Sequence, residues 1–241
     1  LSVRNRLAVQ FGVAFFVLVV GELIKDMSLL GTSSSFFSMA FGIAFFMVFM
    51  VGTANYYNFM DGINGIAAVT GIAAFGLLAW YAFDQGRSHV LVLLSLSLVS
   101  ACIGFLPFNM PKARVFMGDV GSILLGFVFA GMVIALSENM TEFIALAACL
   151  FPFYADELTT TIVRVRDGER LSQPHRRHLY QLLANEMGID HWKISIGYCV
   201  IQIIVGCSVL AMIRHGFWTI ASVLIFYFMV FLIMSIRVRK Y

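Results

Sequence analysis

The chain is decided by one stretch: Pro107-Phe108-Asn109-Met110-Pro111-Lys112-Ala113-Arg114-Val115-Phe116-Met117-Gly118-Asp119-Val120-Gly121-Ser122. An apolar run precedes it and another follows, so Asp119 falls where a hydrophobic helix meets polar surroundings. Gly118 and Gly121 strip side chains from either side of the acid and let the backbone approach a ligand. Free N–H groups opening the next helix would face the same spot and favour an anion. A carboxylate, a helix N-terminus, Lys112 and Arg114 are the parts of a phosphate-plus-metal site. The competing reading makes Asp119 a plain helix cap with Ser122 in the first turn. Capping needs no flanking glycines, which favours the site.

Working outward, the chain is 61% hydrophobic and only 12% charged, with a mean hydropathy of +0.91. That composition excludes an ordinary soluble globule. Eight apolar segments stand out, at 7–24, 36–53, 64–83, 89–106, 121–136, 141–163, 194–213 and 217–236. Most approach the ~20 residues that cross a bilayer. The expected fold is an all-α polytopic membrane protein, one integral-membrane domain over 1–241, with a basic loop at 164–193. Cys102, Cys149, Cys199 and Cys207 sit in apolar runs and read as small hydrophobes. Nothing in the charge pattern asks for a nucleic-acid partner. The opening Leu1-Ser2-Val3-Arg4 has neither an initiating methionine nor a signal peptide and reads as a cut end.

Alternating eight segments across the membrane sorts the cations. One side holds Arg4, Arg6, Lys112, Arg114, Arg164, Arg166, Arg170, Arg176, Arg177, Lys193, Arg237, Arg239 and Lys240; the other holds Lys25, Arg87 and Arg214. The positive-inside rule makes the richer side cytoplasmic, the expected setting being a bacterial inner membrane. The loops bearing Asp61, Asp119 and His178 all fall there.

Two further constellations join Asp119. In Asn55-Tyr56-Tyr57-Asn58-Phe59-Met60-Asp61-Gly62-Ile63-Asn64-Gly65, four polar groups recur every third residue: Asn55, Asn58, Asp61 and Asn64. On a helix they would form a slanted polar strip. Such groups at a membrane edge face a wet cavity or bond between packed helices; four in register favour the cavity. The third constellation places Asp156 and Glu157 before Arg164, Arg166, Arg170 and Pro174-His175-Arg176-Arg177-His178. Topology-setting charge explains most of these arginines. It leaves the paired acids and the two histidines unexplained, and those suit a phosphorylated substrate. Carboxylates that hold Mg²⁺ beside cations that neutralise phosphate make up the equipment of phosphoryl transfer.

At these residues the chain resembles the polyprenyl-phosphate N-acetylhexosamine-1-phosphate transferases, relatives of the phospho-N-acetylmuramoyl-pentapeptide transferase of peptidoglycan synthesis. Asn55-x-x-Asn58-x-x-Asp61-Gly62-x-x-Gly65 and Phe116-Met117-Gly118-Asp119-x-Gly121-Ser122-x-x-x-Gly126 match two signatures of that family. His178-Leu179-Tyr180-Gln181 resembles the branch that starts O-antigen chains of lipopolysaccharide. The resemblance implies that undecaprenyl phosphate attacks the sugar-bearing phosphorus of a UDP-N-acetylamino sugar and releases UMP. It implies Mg²⁺ (with Mn²⁺ as a substitute) on Asp119, and Asp61 with Asn55, Asn58 and Asn64 placing nucleotide or metal. It implies phosphate or uridine contacts for His178, Arg176 and Arg177, with Lys112 and His175 in the same binding set. It also implies a homodimer, as is common among relatives, and the C-terminal part of a fold of about ten or eleven membrane helices.

Three departures stand out. Asn64 occupies a position where many relatives carry a second Asp, so it is a better binder than ligand or base. Tyr180 and Gln181 stand where other branches have histidines. A paired-aspartate motif that relatives carry before a segment like Leu1–Leu7 is missing, so the chain is expected to be part of a longer enzyme and inactive alone. Two rival classes fit less well. A membrane aspartyl protease would need Tyr before Asp61 and Gly at position 116, where Met60 and Phe116 stand. A transporter would place its polar groups at mid-membrane between repeated halves, and no repeat is present.

Overall fold

The computed structural model describes residues 3–20, 36–170 and 176–239. Every regular element among them is helical: α1 (Val3–Val20), α2 (Phe36–Met60), α3 (Ile66–Asp84), α4 (His89–Asn109), α5 (Gly118–Leu136), α6 (Met140–Ala147), α7 (Phe151–Arg166), α8 (Leu179–Asn185), α9 (His191–Met212) and α10 (Phe217–Val238). A bilayer offers no partner for free backbone groups, so helices that satisfy their own are the economical solution. Among the described residues, seven helical stretches are long and apolar enough to cross a membrane. They correspond to the second through eighth expected segments. The first expected segment, 7–24, is α1 as far as Val20, and its remainder lies outside the described residues.

Helix α3 is the hub, buried along most of its length, while α4 and α10 turn most of their apolar surface outward. Its small residues Ala67, Ala68, Gly71, Ala73 and Ala74 let α4 and α9 pack close against it. Helices α2 and α5 make the other close pair. There a Cβ on Gly126 would lie 2.8 Å from both the Thr53 carbonyl and the Ala54 Cα. Only glycine permits that approach, and it fixes α5 against the α2 turn that leads to Asn55 and Asn58.

The span Met140–Arg166, the sixth expected segment, is broken by a 3-10 turn at Ala148–Leu150 before Pro152 in the first turn of α7. Proline lacks the N–H that would continue the ladder. Gln202 of α9, fully buried, repairs the break by donating to the carbonyls of Cys149 (2.7 Å) and Thr70 (3.2 Å). The break gives α7 its own direction, toward the end of the bundle where Asp61 and Asp119 lie. At the other end, Arg87 pairs with Glu138 and Glu142, joining the α3–α4 and α5–α6 connections.

Candidate active site

Helix α2 runs to Met60, seven residues past the expected limit at 53, because its last polar residues find partners on neighbouring helices. Asn55 donates to Gln10 of α1 at 2.8 Å and to its own Val51 carbonyl at 2.7 Å, so it serves helix packing. Asn58 donates to the Asp119 carboxylate at 3.2 Å and to the Ser122 hydroxyl at 2.9 Å. The expected helical strip does not extend further, since the helix ends before Asp61. Asn64 sits in the turn before α3, where its side chain donates to the Pro111 carbonyl at 3.2 Å. Its backbone N–H reaches His191 Nδ1 at 3.4 Å, and its carbonyl accepts from the Ser195 hydroxyl at 2.9 Å.

Asp119 lies in the first turn of α5, after an N-cap at Met117 that makes no side-chain cap bond. The cap-only reading therefore fails. Its carboxylate points outward, with the side chain 68% exposed, and Arg6 of α1 approaches to 3.2 Å. Asn109 organises the loop beneath it. Its oxygen accepts from the Gly65 N–H at 2.6 Å and its nitrogen donates to the Val115 carbonyl at 2.8 Å. Gly65 itself takes φ +86°, a conformation that favours glycine. Asn58, Asp61, Asn64, Asn109, Met117 and Asp119 thus line one cavity of about 180 Å³. Burial, then repulsion from Asp119, pushes the Asp61 carboxyl up to about 6.

The basic set is arranged differently. Lys112 and Arg176 are exposed, and Arg177 pairs with Asp167 at 2.7 Å and with Glu169 at 2.5 Å. His175 lies outside the described residues. His178 is 3% exposed, with Nε2 3.5 Å from Glu157 and Nδ1 3.9 Å from Asp156. Its ring stacks on Tyr180. Burial, then the Arg239 and Arg164 charges, push its pKa down to about 4, so it is a neutral imidazole near pH 7. His178 is enclosed by protein groups because Asp156 draws the neighbouring backbone inward. That buried carboxylate accepts from the Leu179 and Tyr180 amides at 2.7 and 3.3 Å.

Sequence reasoning assigned no site role to Arg6 or Asn109. In the sequence Arg6 is one of many cations on its side and Asn109 a single amide in the loop before Asp119. The donor set suits a hard cation. Asp119 offers an outward carboxylate, Asp61 a second, and amide oxygens sit beside them. Mg²⁺ uses one or two carboxylates plus water and substrate phosphate. No group of three or more His, Cys, Asp or Glu forms a complete cage among the described residues.

Residues 1–137 match the family model described as glycosyl transferase family 4. The chain belongs to that family. The matched region holds both aspartates of the cavity and ends before the His178 segment. Phospho-N-acetylmuramoyl-pentapeptide-transferases are among the relatives of this glycosyl transferase family 4 chain. The one from Enterococcus faecalis is 30% identical over 86% of this chain and 63% of its own length. The Latilactobacillus sakei protein is 34% identical over 76% of this chain and 54% of its own. The Streptococcus gordonii protein is 29% identical over 73% of this chain and 55% of its own. The chain therefore spans between 54% and 63% of these relatives' lengths.

Proposed function

We propose that this chain carries metal- and nucleotide-binding residues of an enzyme that moves an N-acetylamino-sugar 1-phosphate from a UDP-sugar to undecaprenyl phosphate. The observation that carries the proposal is the shared cavity. Asp61 and Asp119, far apart in sequence, line it together with Asn58 and Asn64, and Arg6 stands at its edge. An oxygen of the lipid phosphate attacks the sugar-bearing phosphorus. The bond from that phosphorus to the bridging oxygen breaks, and UMP leaves with the bridging oxygen.

Asp119 would hold Mg²⁺ (or Mn²⁺), with Asp61 next to it; the ion would neutralise charge on the diphosphate. Asn58 orients Asp119, and Arg6 is placed to meet a phosphate once the carboxylate has another partner. Lys112, Arg176 and Arg177 would draw anionic substrates toward this end of the bundle, which the positive-inside bias makes cytoplasmic. The acceptor lies in the bilayer, the donor comes from the cytoplasm, and the enzyme works at the inner membrane, as a homodimer in keeping with the family resemblance.

The donor is an N-acetylamino sugar of the O-antigen type, on the strength of His178-Leu179-Tyr180-Gln181. The names of the relatives favour a second reading, a muramoyl-pentapeptide donor. A panel of UDP-sugars, incubated with the full-length protein in membranes, undecaprenyl phosphate and Mg²⁺, separates them. UMP released with a UDP-N-acetylamino sugar that carries no peptide supports the first reading, and UMP with the muramoyl-pentapeptide donor alone supports the second. No UMP from any donor refutes both.

A further inference from the structure

We infer that Tyr180 is a positioning residue for Asp61, held in place by Asp156, so that the α8 segment sets the geometry of the cavity without lining it. This inference rests on the transferase reading above. Asp156 is fully buried and saturated: besides the two amides of Leu179 and Tyr180, it accepts from Tyr198 Oη at 2.7 Å and Thr160 Oγ1 at 3.2 Å. A fully enclosed carboxylate with four donors defines one position for the backbone that it grips. That backbone carries Tyr180, which is itself fully buried.

The Tyr180 hydroxyl crosses to another helix. It donates to the Phe59 carbonyl at 3.0 Å and accepts from Gln181 Nε2 at 3.1 Å. Phe59 is in the last turn of α2, where carbonyls lose their helical partners, and Asp61 is two residues on. A Cβ added at Gly62 would overlap the same hydroxyl, so the Asp61–Gly62 backbone lies directly against it. One phenol oxygen thus fixes both the carbonyl before Asp61 and the glycine after it. The connection runs from α7 through the start of α8 to the end of α2, and ends on a carboxylate of the cavity.

The test uses the full-length protein in lipid nanodiscs and the variant Tyr180→Phe, which removes the hydroxyl and keeps the ring on His178. Hydrogen–deuterium exchange should accelerate at residues 61–65 and stay unchanged at 118–126. Turnover should fall about 10-fold or more while KM for the UDP-sugar stays within about twofold, since a misplacement of ~1 Å costs up to about 10²-fold. In Gly62→Ala the new methyl strikes the phenol oxygen. Adding Tyr180→Phe removes that oxygen, so the double variant should turn over faster than Gly62→Ala alone, whereas unconnected structural damage would multiply. Unchanged exchange at 61–65, turnover within twofold of wild type, or multiplying losses would overturn the inference. If wild type releases no UMP from any donor, the transferase reading fails, and the exchange measurement alone decides whether Tyr180 holds the Asp61 loop.

Discussion

Asn58 and Asp119, 61 positions apart in the chain, are joined by a 3.2 Å hydrogen bond from the Asn58 amide to the Asp119 carboxylate. The same amide holds Ser122 at 2.9 Å, so the end of α2 and the first turn of α5 form one unit. Asp119 is thereby held among the residues that line the cavity while most of its side chain stays open to solvent.

Removing that carboxylate should separate activity from folding. Asp119→Ala should lower UMP release by about 10³-fold or more, the scale of losing charge stabilisation at a reacting phosphate. Thermal stability should hardly change, because the half-exposed pair with Arg6 is worth at most about 1 kcal/mol. Near-normal UMP release from folded Asp119→Ala protein would remove Asp119 from the mechanism. Asn58→Ala should act in the same direction but by only about 10-fold, as the loss of one orienting hydrogen bond.

Asp61 should make stability depend on pH. Its pKa rises from 3.8 to about 6 in the fold through burial and the Asp119 charge, so folding favours the protonated form. That contribution is fully present below pH ~4 and is lost as pH rises through ~6, on the order of 2 kcal/mol in all. The melting temperature of wild type should therefore climb between pH 7 and pH 5 relative to Asp61→Asn. Adding Mg²⁺ should flatten the difference, because a nearby cation favours the ionised carboxylate; chelation should restore it. Parallel melting curves for the two proteins across that range would refute the buried, charge-coupled environment of Asp61.

Asp156 should behave in the opposite way to Asp119. Asp156→Ala strips the acceptor from four buried donors, leaving them unsatisfied at about 3–5 kcal/mol in total. Folded, detergent-extractable protein should fall sharply, with Asp156→Asn intermediate because it keeps one oxygen. Size-exclusion profiles of the extracted variants measure this; a normal yield of monodisperse Asp156→Ala would contradict the anchoring role.

Gly126 should tolerate nothing larger. A methyl there meets Thr53 and Ala54 backbone at 2.8 Å, and helix backbones cannot yield as a flexible side chain can. Gly126→Ala should destabilise by about 1–3 kcal/mol and lower UMP release, since α5 carries Asp119 and α2 carries Asn58. A melting temperature equal to wild type would show that the α2–α5 approach is looser than described.

Much of the architecture was legible because a bilayer imposes local rules. Span length and apolar composition are read residue by residue, and Asp119 and Asp61 stand out because acids at a membrane edge demand a reason. Helix ends were less legible. The expected second segment ends at 53, yet α2 continues through Asn55 and Asn58 because Gln10, Asp119 and Ser122 wait as partners on other helices.

The sequence by itself determined that this is a helical membrane protein with acids and cations gathered toward one face, since hydropathy and charge act at each position independently. Only the tertiary structure decided how those groups divide the work. Asn55 packs helices, Asn58 steadies Asp119, Asp156 grips the start of α8 from within, His178 is enclosed, and Tyr180 rests against the Asp61 loop. Periodicity carries no record of such pairings, because each depends on the distance and direction between side chains brought together from separate helices.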